Sequence, residues 1–108
     1  MTACASCFSR LRAANAQAGG GQRVLHIAQV LGAPAMRTKL ASLVKRPLNG
    51  LPVACYYGCL LTRPAGPDVI DDAEDPHLLE DLVGLLGAKA IDFPLRLDCC
   101  GASLALSR

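Results

Sequence analysis

"DPHLLEDLVGLLGAKAI", Asp75 to Ile91, is the stretch on which the fold turns. Leu78, Leu82 and Leu85, with Leu79, Val83 and Leu86 beside them, recur at helical spacing. Asp75 suits an N-cap, Pro76 a first helical position and Gly87 a left-handed C-terminal residue. Directly behind the glycine, "KAIDFP" reads as a strand, and "LRLD" (Leu95–Asp98) as a third short strand leading into Cys99.

Working upstream, Asn49-Gly50 is a turn signal, and Val53 to Tyr57 is an apolar and aromatic run of strand type that Gly58 and Cys59 end. Arg63 to Glu74 is a Pro-, Gly- and Asp-rich loop. Strand, loop, helix and strand make half of an α/β unit with parallel strands flanked by helices. Before it, Ala5 to Gln17 predicts a helix, with Phe8, Leu11 and Ala14 on one side. Ala18 to Gln22, with three glycines in a row, predicts a flexible joint. Val24 to Leu31 predicts a short helix. Pro34 starts another, with Leu40, Leu43 and Val44 as its stripe and Pro47 as its stop.

At 108 residues the chain is one domain at most, or a piece of one. It is 52% hydrophobic and 19% charged, which excludes compositional disorder. With no Trp and few aromatics, a core of Leu, Val, Ile and Ala is expected. A net charge of +2, with no basic run interleaved with aromatics, gives no footprint for nucleic acid or an anionic membrane. The N-terminus lacks the basic-then-apolar order of a signal peptide, and no apolar run reaches the length of a bilayer span. The expectation is a cytoplasmic protein, in which six cysteines mean thiols, metal ligands or redox chemistry.

Cys4 and Cys7 form a Cys-x-x-Cys at the start of the first helix, a spacing that puts both sulfurs on one face. Zinc ligands, a dithiol couple and iron–sulfur ligands all fit that pair. Cys59 is expected at a strand end, and Cys99 and Cys100 also follow a strand. Two neighbouring thiolates chelate one small zinc ion poorly, yet each reaches a different iron of one cluster. That favours a polynuclear site.

"VACYYGCLLTRP" (Val53–Pro64) and "DDAEDPHLLEDLVGLLGAKAIDFPLRLDCCGAS" (Asp71–Ser103) resemble the B subunit of heterodisulfide reductase, from the family of cysteine-rich Cys-Cys-Gly domains. Cys59 and Cys99-Cys100-Gly101, with 39 residues between Cys59 and Cys99, match the opening elements of such a domain. "TACASCFSRLRAAN" (Thr2–Asn15) resembles the closing Cys-x-x-Cys of a preceding one. The resemblance implies an α/β, partial tandem of domains: residues 1–48 the end of a first, plus linker, and 49–108 the start of a second. It implies that Cys59, Cys99 and Cys100, and at another site Cys4 and Cys7, are ligands of non-cubane 4Fe–4S clusters. Gly58 and Gly101 are places where backbone approaches a cluster closely.

The activity implied is an oxidoreductase that reduces or forms a thiol disulfide, fed by partner iron–sulfur and flavin subunits. Because each ligand set is partial, the chain reads as an internal fragment, inactive alone and possessed of a cluster only if the partial set suffices. Rival readings are an electron-transfer subunit of a lactate, glycolate or glycerol 3-phosphate oxidising complex, and a small zinc-binding interaction module. Cys59, Cys99 and Cys100 are expected together, with Cys4 and Cys7 apart from them.

Other residues read more plainly. Cys55 is a small buried hydrophobe. One of Tyr56 and Tyr57 is core and the other flanks the cluster or substrate. His26 lies against the apolar face, while His77 is exposed in a first helical turn. Arg63 is a solvated loop residue, and "DDAEDP" (Asp71–Pro76) a soluble turn with a helix cap.

Overall fold

The strand–helix–strand unit is present. The computed structural model describes residues 1–63 and 70–101. It places β1 at Pro52–Ala54, α5 at Leu78–Leu85 and β2 at Lys89–Ile91. The two strands pair in parallel, with Pro52 opposite Lys89, Val53 opposite Ala90 and Ala54 opposite Ile91. Ahead of them come α1 (Ala5–Gln17), α2 (Ile27–Gly32) and α3 (Pro34–Leu43), and between them α4 (Cys59–Thr62). Residues 64–69, within the expected loop, and the tail from Ala102 onward lie outside the described residues.

Gly87 is the joint of the unit. Its φ of +78° is the left-handed conformation the sequence predicts after α5. A Cβ there would meet Pro47 Cβ at 2.9 Å, so the chain before β1 runs tight against it. Leu48 N donates to Leu86 O and Gly50 N to Gly87 O, both at 2.8 Å.

Several boundaries differ from expectation, each for a local reason. The helix expected over Val24–Leu31 starts only at Ile27, because Leu25 is held extended. Thr2 N donates to Leu25 O (3.0 Å) and Ile27 N to Thr2 O (2.8 Å). His26 then caps α2: Nδ1 accepts from Ala28 N, while its own N–H donates to Gln29 Oε1. The glycine joint after α1 is a pinned reversal, since Asn15 exchanges two hydrogen bonds with the Gln22 backbone. α5 starts at Leu78 rather than Pro76. Asp71, not Asp75, supplies the cap, its Oδ2 accepting from His77 N (2.7 Å) and Leu78 N (2.6 Å). Asp75 is drawn away to Arg96.

"LRLD" is a turn rather than a third strand, with Arg96 N bonded to Phe93 O and Asp98 N to Leu95 O. β1 is also shorter than the expected Val53–Tyr57. Gly58, at φ 67° and ψ 164°, sits in a region open essentially to glycine alone, and it ends the extended run.

The core also differs. The buried hydrophobic side chains among the described residues are Phe8, Ala28, Cys55, Tyr57 and Leu61. Aromatic rings bury the most area per residue, and here two of them anchor the packing while the leucines of α5 are half-buried. Ala5, Val53, Ile70, Leu79, Val83 and Leu97 pack around Cys55, Tyr57 and Leu61. Phe8 meets the buried His26 ring edge-on, 5.7 Å between centroids. α2 and α3 pack on α5, where Gly32 makes room for Leu78 and Arg37 pairs with Asp81 at 2.5 Å.

The acidic loop should make the fold acid-sensitive. The amides of Glu74 and Asp75 hold the Asp72 carboxyl below its usual range, and His77 and Arg96 do the same for Asp75. A carboxyl depressed on folding stabilises above its unfolded pKa of about 3.9 and stops doing so as pH falls through its lower native value. The urea midpoint should therefore be level from pH 7 to 5 and drop below pH 4, with Asp72→Asn flattening the drop. A midpoint independent of pH down to 2.5 would rule this out.

Candidate functional site

The turn Phe93–Asp98 builds the site. Its Arg96 carbonyl accepts from Tyr57 N (2.9 Å) and Gly58 N (3.4 Å), and its Asp98 carbonyl accepts from the Tyr56 hydroxyl (2.5 Å). The segment after β2 is thus laid along the segment after β1, and the cysteines that follow each are brought together. Cys59 and Cys99 lie close enough for the Cys99 thiol, and the charge of Cys100 beside it, to act on the Cys59 thiol. The Cys99 contact is the main cause that raises the Cys59 pKa, ahead of desolvation. Gly101 N donates to Cys99 Sγ at 3.4 Å, from a residue at φ +77°.

Cys59 is the first residue of α4 rather than a strand end, with Gly58 at the cap position. Glycine is needed at both flanking positions for backbone conformation. At Gly58 a Cβ would also crowd the Tyr56 ring at 3.3 Å, whereas at Gly101 it would meet nothing.

The two tyrosines divide as expected. Tyr57 is buried at 6% exposure, and Tyr56 is exposed beside the three cysteines. Partial desolvation raises the Tyr56 pKa first, followed by the charges of Cys100, Cys99 and Cys59. Cys55 is buried in the core, where desolvation pushes its thiol up. His77 and Arg63 are exposed, the latter paired with Glu74 at 3.1 Å.

The polar network beneath the site was not among the expected residues. Tyr57 donates to Glu80 Oε2 and accepts from Leu79 N at 2.8 Å. Arg96, its side chain 15% exposed, bonds Glu80, Asp75 and the Pro76 carbonyl. A lone arginine inside "PLRLD" was the available signal. An open depression of about 450 Å³ lies over Asp75, Glu80, Asp92 and Arg96, but these charges already satisfy one another.

Cys4 and Cys7 lie at the head of α1, both exposed, and each thiol acts on the pKa of the other. The groups acting on them are each other, the Ser6 and Cys7 amides and Arg10, none of them from the Cys59 group. The amides lower the Cys4 pKa without making a cap bond of ordinary geometry. Their strand-like lead is fixed by His26, whose Nε2 donates to Ala3 O at 3.2 Å. Among the described residues, no three Cys, His or carboxylate side chains converge on a point that would hold a single metal ion. Cys59 directly follows Gly58 and Cys99-Cys100 directly precede Gly101, and these three thiols do not close around one ion, a donor set that suits a multi-iron cluster better than a tetrahedral zinc ion. No helix among the described residues is long and apolar enough to cross a membrane.

Comparison with known proteins adds relatives. The chain is 35% identical, over 77% of its length and 27% of the relative's, to the B subunit of the ferredoxin:CoB-CoM heterodisulfide reductase of Methanosarcina mazei. It is 31% identical, over 94% of its length and 42% of the relative's, to a protein of Archaeoglobus profundus described as like the heterodisulfide reductase B subunit. Over 58% of its length it is 41% identical to the 8-methylmenaquinol:fumarate reductase membrane anchor subunit of Wolinella succinogenes, of which it spans 22%. The chain thus spans less than half the length of these curated relatives. No family model matches it, and no solved structure matches it significantly.

Proposed function

Since this chain belongs to the family of the heterodisulfide reductase B subunit, we propose that it serves as an iron–sulfur subunit in an oxidoreductase complex that reduces or forms a small-molecule disulfide. The observation that carries this reading is the clasp of the Phe93–Asp98 turn on Tyr56–Gly58, which sets Cys59 against Cys99. In it, Cys59, Cys99 and Cys100 hold a non-cubane 4Fe–4S cluster, with Gly58 and Gly101 letting backbone amides come close. A bound cluster supplies one-electron redox chemistry. The chain's own residues fix the sulfurs, and Tyr56 shields one side of them while its hydroxyl ties down the Asp98 carbonyl. Cys4 and Cys7 are available as ligands of a second site, with residues 1–48 corresponding to the end of one Cys-Cys-Gly domain plus linker and 49–108 to the start of the next. Iron–sulfur and flavin subunits complete the electron path.

Anaerobic reconstitution with iron and sulfide tests this. The chain should take up both in stoichiometric amounts and gain a broad visible band. In a Cys4→Ser/Cys7→Ser background, Cys59→Ser and Cys99→Ser should each reduce bound iron to background, while Cys55→Ala keeps it. A colourless chain, or a Cys59→Ser variant that still binds iron in that background, would refute the proposal.

A further inference from the structure

Tyr57, Arg96 and Glu80 close a hydrogen-bonded circuit. Tyr57 N donates to the Arg96 carbonyl at 2.9 Å, and the Arg96 guanidinium donates through Nη1 to Glu80 Oε1 at 3.3 Å. The second oxygen of Glu80, Oε2, accepts from the Tyr57 hydroxyl and completes the ring. Each member is shielded from solvent: Tyr57 is 6% exposed, and the Arg96 and Glu80 side chains 15% and 17%. Arg96 is also tied to the Pro76 carbonyl at 3.2 Å and to Asp75, both ahead of α5. A single exposed ion pair contributes little, but a planar fork held by several acceptors at low exposure fixes the backbone from which it springs.

That backbone carries the cysteines. The Arg96 carbonyl accepts a second bond from Gly58 N, at 3.4 Å, and Gly58 is the residue before Cys59. The Asp98 carbonyl, immediately before Cys99, accepts from the Tyr56 hydroxyl. We propose that Arg96, locked by Glu80, is a positioning residue that keeps Cys59 in register with Cys99-Cys100. Its guanidinium is engaged by Asp75, Pro76 and Glu80, so it acts on the cysteines through its carbonyl. The service this register gives to a cluster rests on the iron–sulfur reading above, whereas the register itself does not.

The test measures that register without metal, on the whole chain carrying Cys4→Ser and Cys7→Ser and treated with chelator. A glutathione redox buffer gives the equilibrium constant for joining Cys59 to Cys99 or Cys100, read by acid-quenched alkylation and peptide mass spectrometry. The constant reports the effective concentration of one thiol at the other. Arg96→Met should lower it about tenfold, the equivalent of one charge-assisted hydrogen bond. Arg96→Lys keeps the charge without the fork and should recover part of the loss. Because the circuit acts as a unit, adding Tyr57→Phe to Arg96→Met should lower the constant little further. Arg37→Met, which breaks the ion pair to Asp81 on the same helix, should leave it unchanged. The constant in concentrated urea marks the value for an unfolded chain; if Arg96→Met falls to it, the partial recovery in Arg96→Lys decides. An unchanged constant in Arg96→Met, no recovery in Arg96→Lys, an equal fall in Arg37→Met, or a value in the parent chain no higher than in urea would overturn the proposal. A register lost as expected, in a chain that takes up no iron, would sink the iron–sulfur reading and leave this one standing.

Discussion

Tyr57→Phe should lower the unfolding free energy by about 2 kcal/mol, and Tyr57→Ala by about 4 kcal/mol. The phenylalanine keeps the ring among Cys55, Leu61 and Leu79 but removes an oxygen with two partners. Without it the Leu79 amide in the first turn of α5 has no acceptor, and Glu80 keeps only Arg96. A hydrogen bond to a charged group contributes about 1.5–3 kcal/mol, and an orphaned buried donor costs a similar amount. The alanine adds a ring-sized cavity at a residue only 6% exposed. Urea titration reads both changes. Equal midpoints for wild type and Tyr57→Phe would show that the hydroxyl bonds contribute nothing.

Gly58→Ala carries the second large effect, a loss of about 1–3 kcal/mol from the backbone alone. At φ 67° and ψ 164° an L side chain is strained whatever space surrounds it, and here the Cβ also lies 3.3 Å from the Tyr56 ring. The same residue caps α4 and directs Cys59, so relief of the strain moves the thiol away from Cys99. Iron uptake should fall together with stability. Gly101→Ala makes the control: its φ is +77°, but a Cβ meets nothing, so only the left-handed backbone cost of about 1–2 kcal/mol applies. Gly58→Ala as mild as Gly101→Ala in both readouts would count against this role.

These contacts mark how far the sequence could be read. α1 and the Pro34 start of α3 were legible because apolar spacing and proline position act locally. The parallel pairing followed from the order strand, helix, strand. What was hidden depended on partners distant in sequence. Whether Asp71 or Asp75 caps α5 is decided by Arg96, which lies some twenty residues downstream and claims Asp75. "LRLD" alternates like a strand, yet its Arg96 and Asp98 carbonyls are taken by Tyr56, Tyr57 and Gly58 in place of a sheet neighbour. At the cysteines, spacing and resemblance indicated which belong together. The meeting of Cys59 with Cys99 needed the fold, because the clasp that creates it has no motif of its own.

The closeness of Cys59 and Cys99 has a consequence for the unfolded chain. Any bond that joins these sulfurs, through iron or directly, is a cross-link across a loop of about 40 residues. It removes conformational freedom from the denatured ensemble that a link between Cys4 and Cys7, three positions apart, scarcely touches. Occupancy at the first pair therefore acts as a staple for the whole strand–helix–strand unit, while the state of the second can change with little effect on whether the rest stays folded.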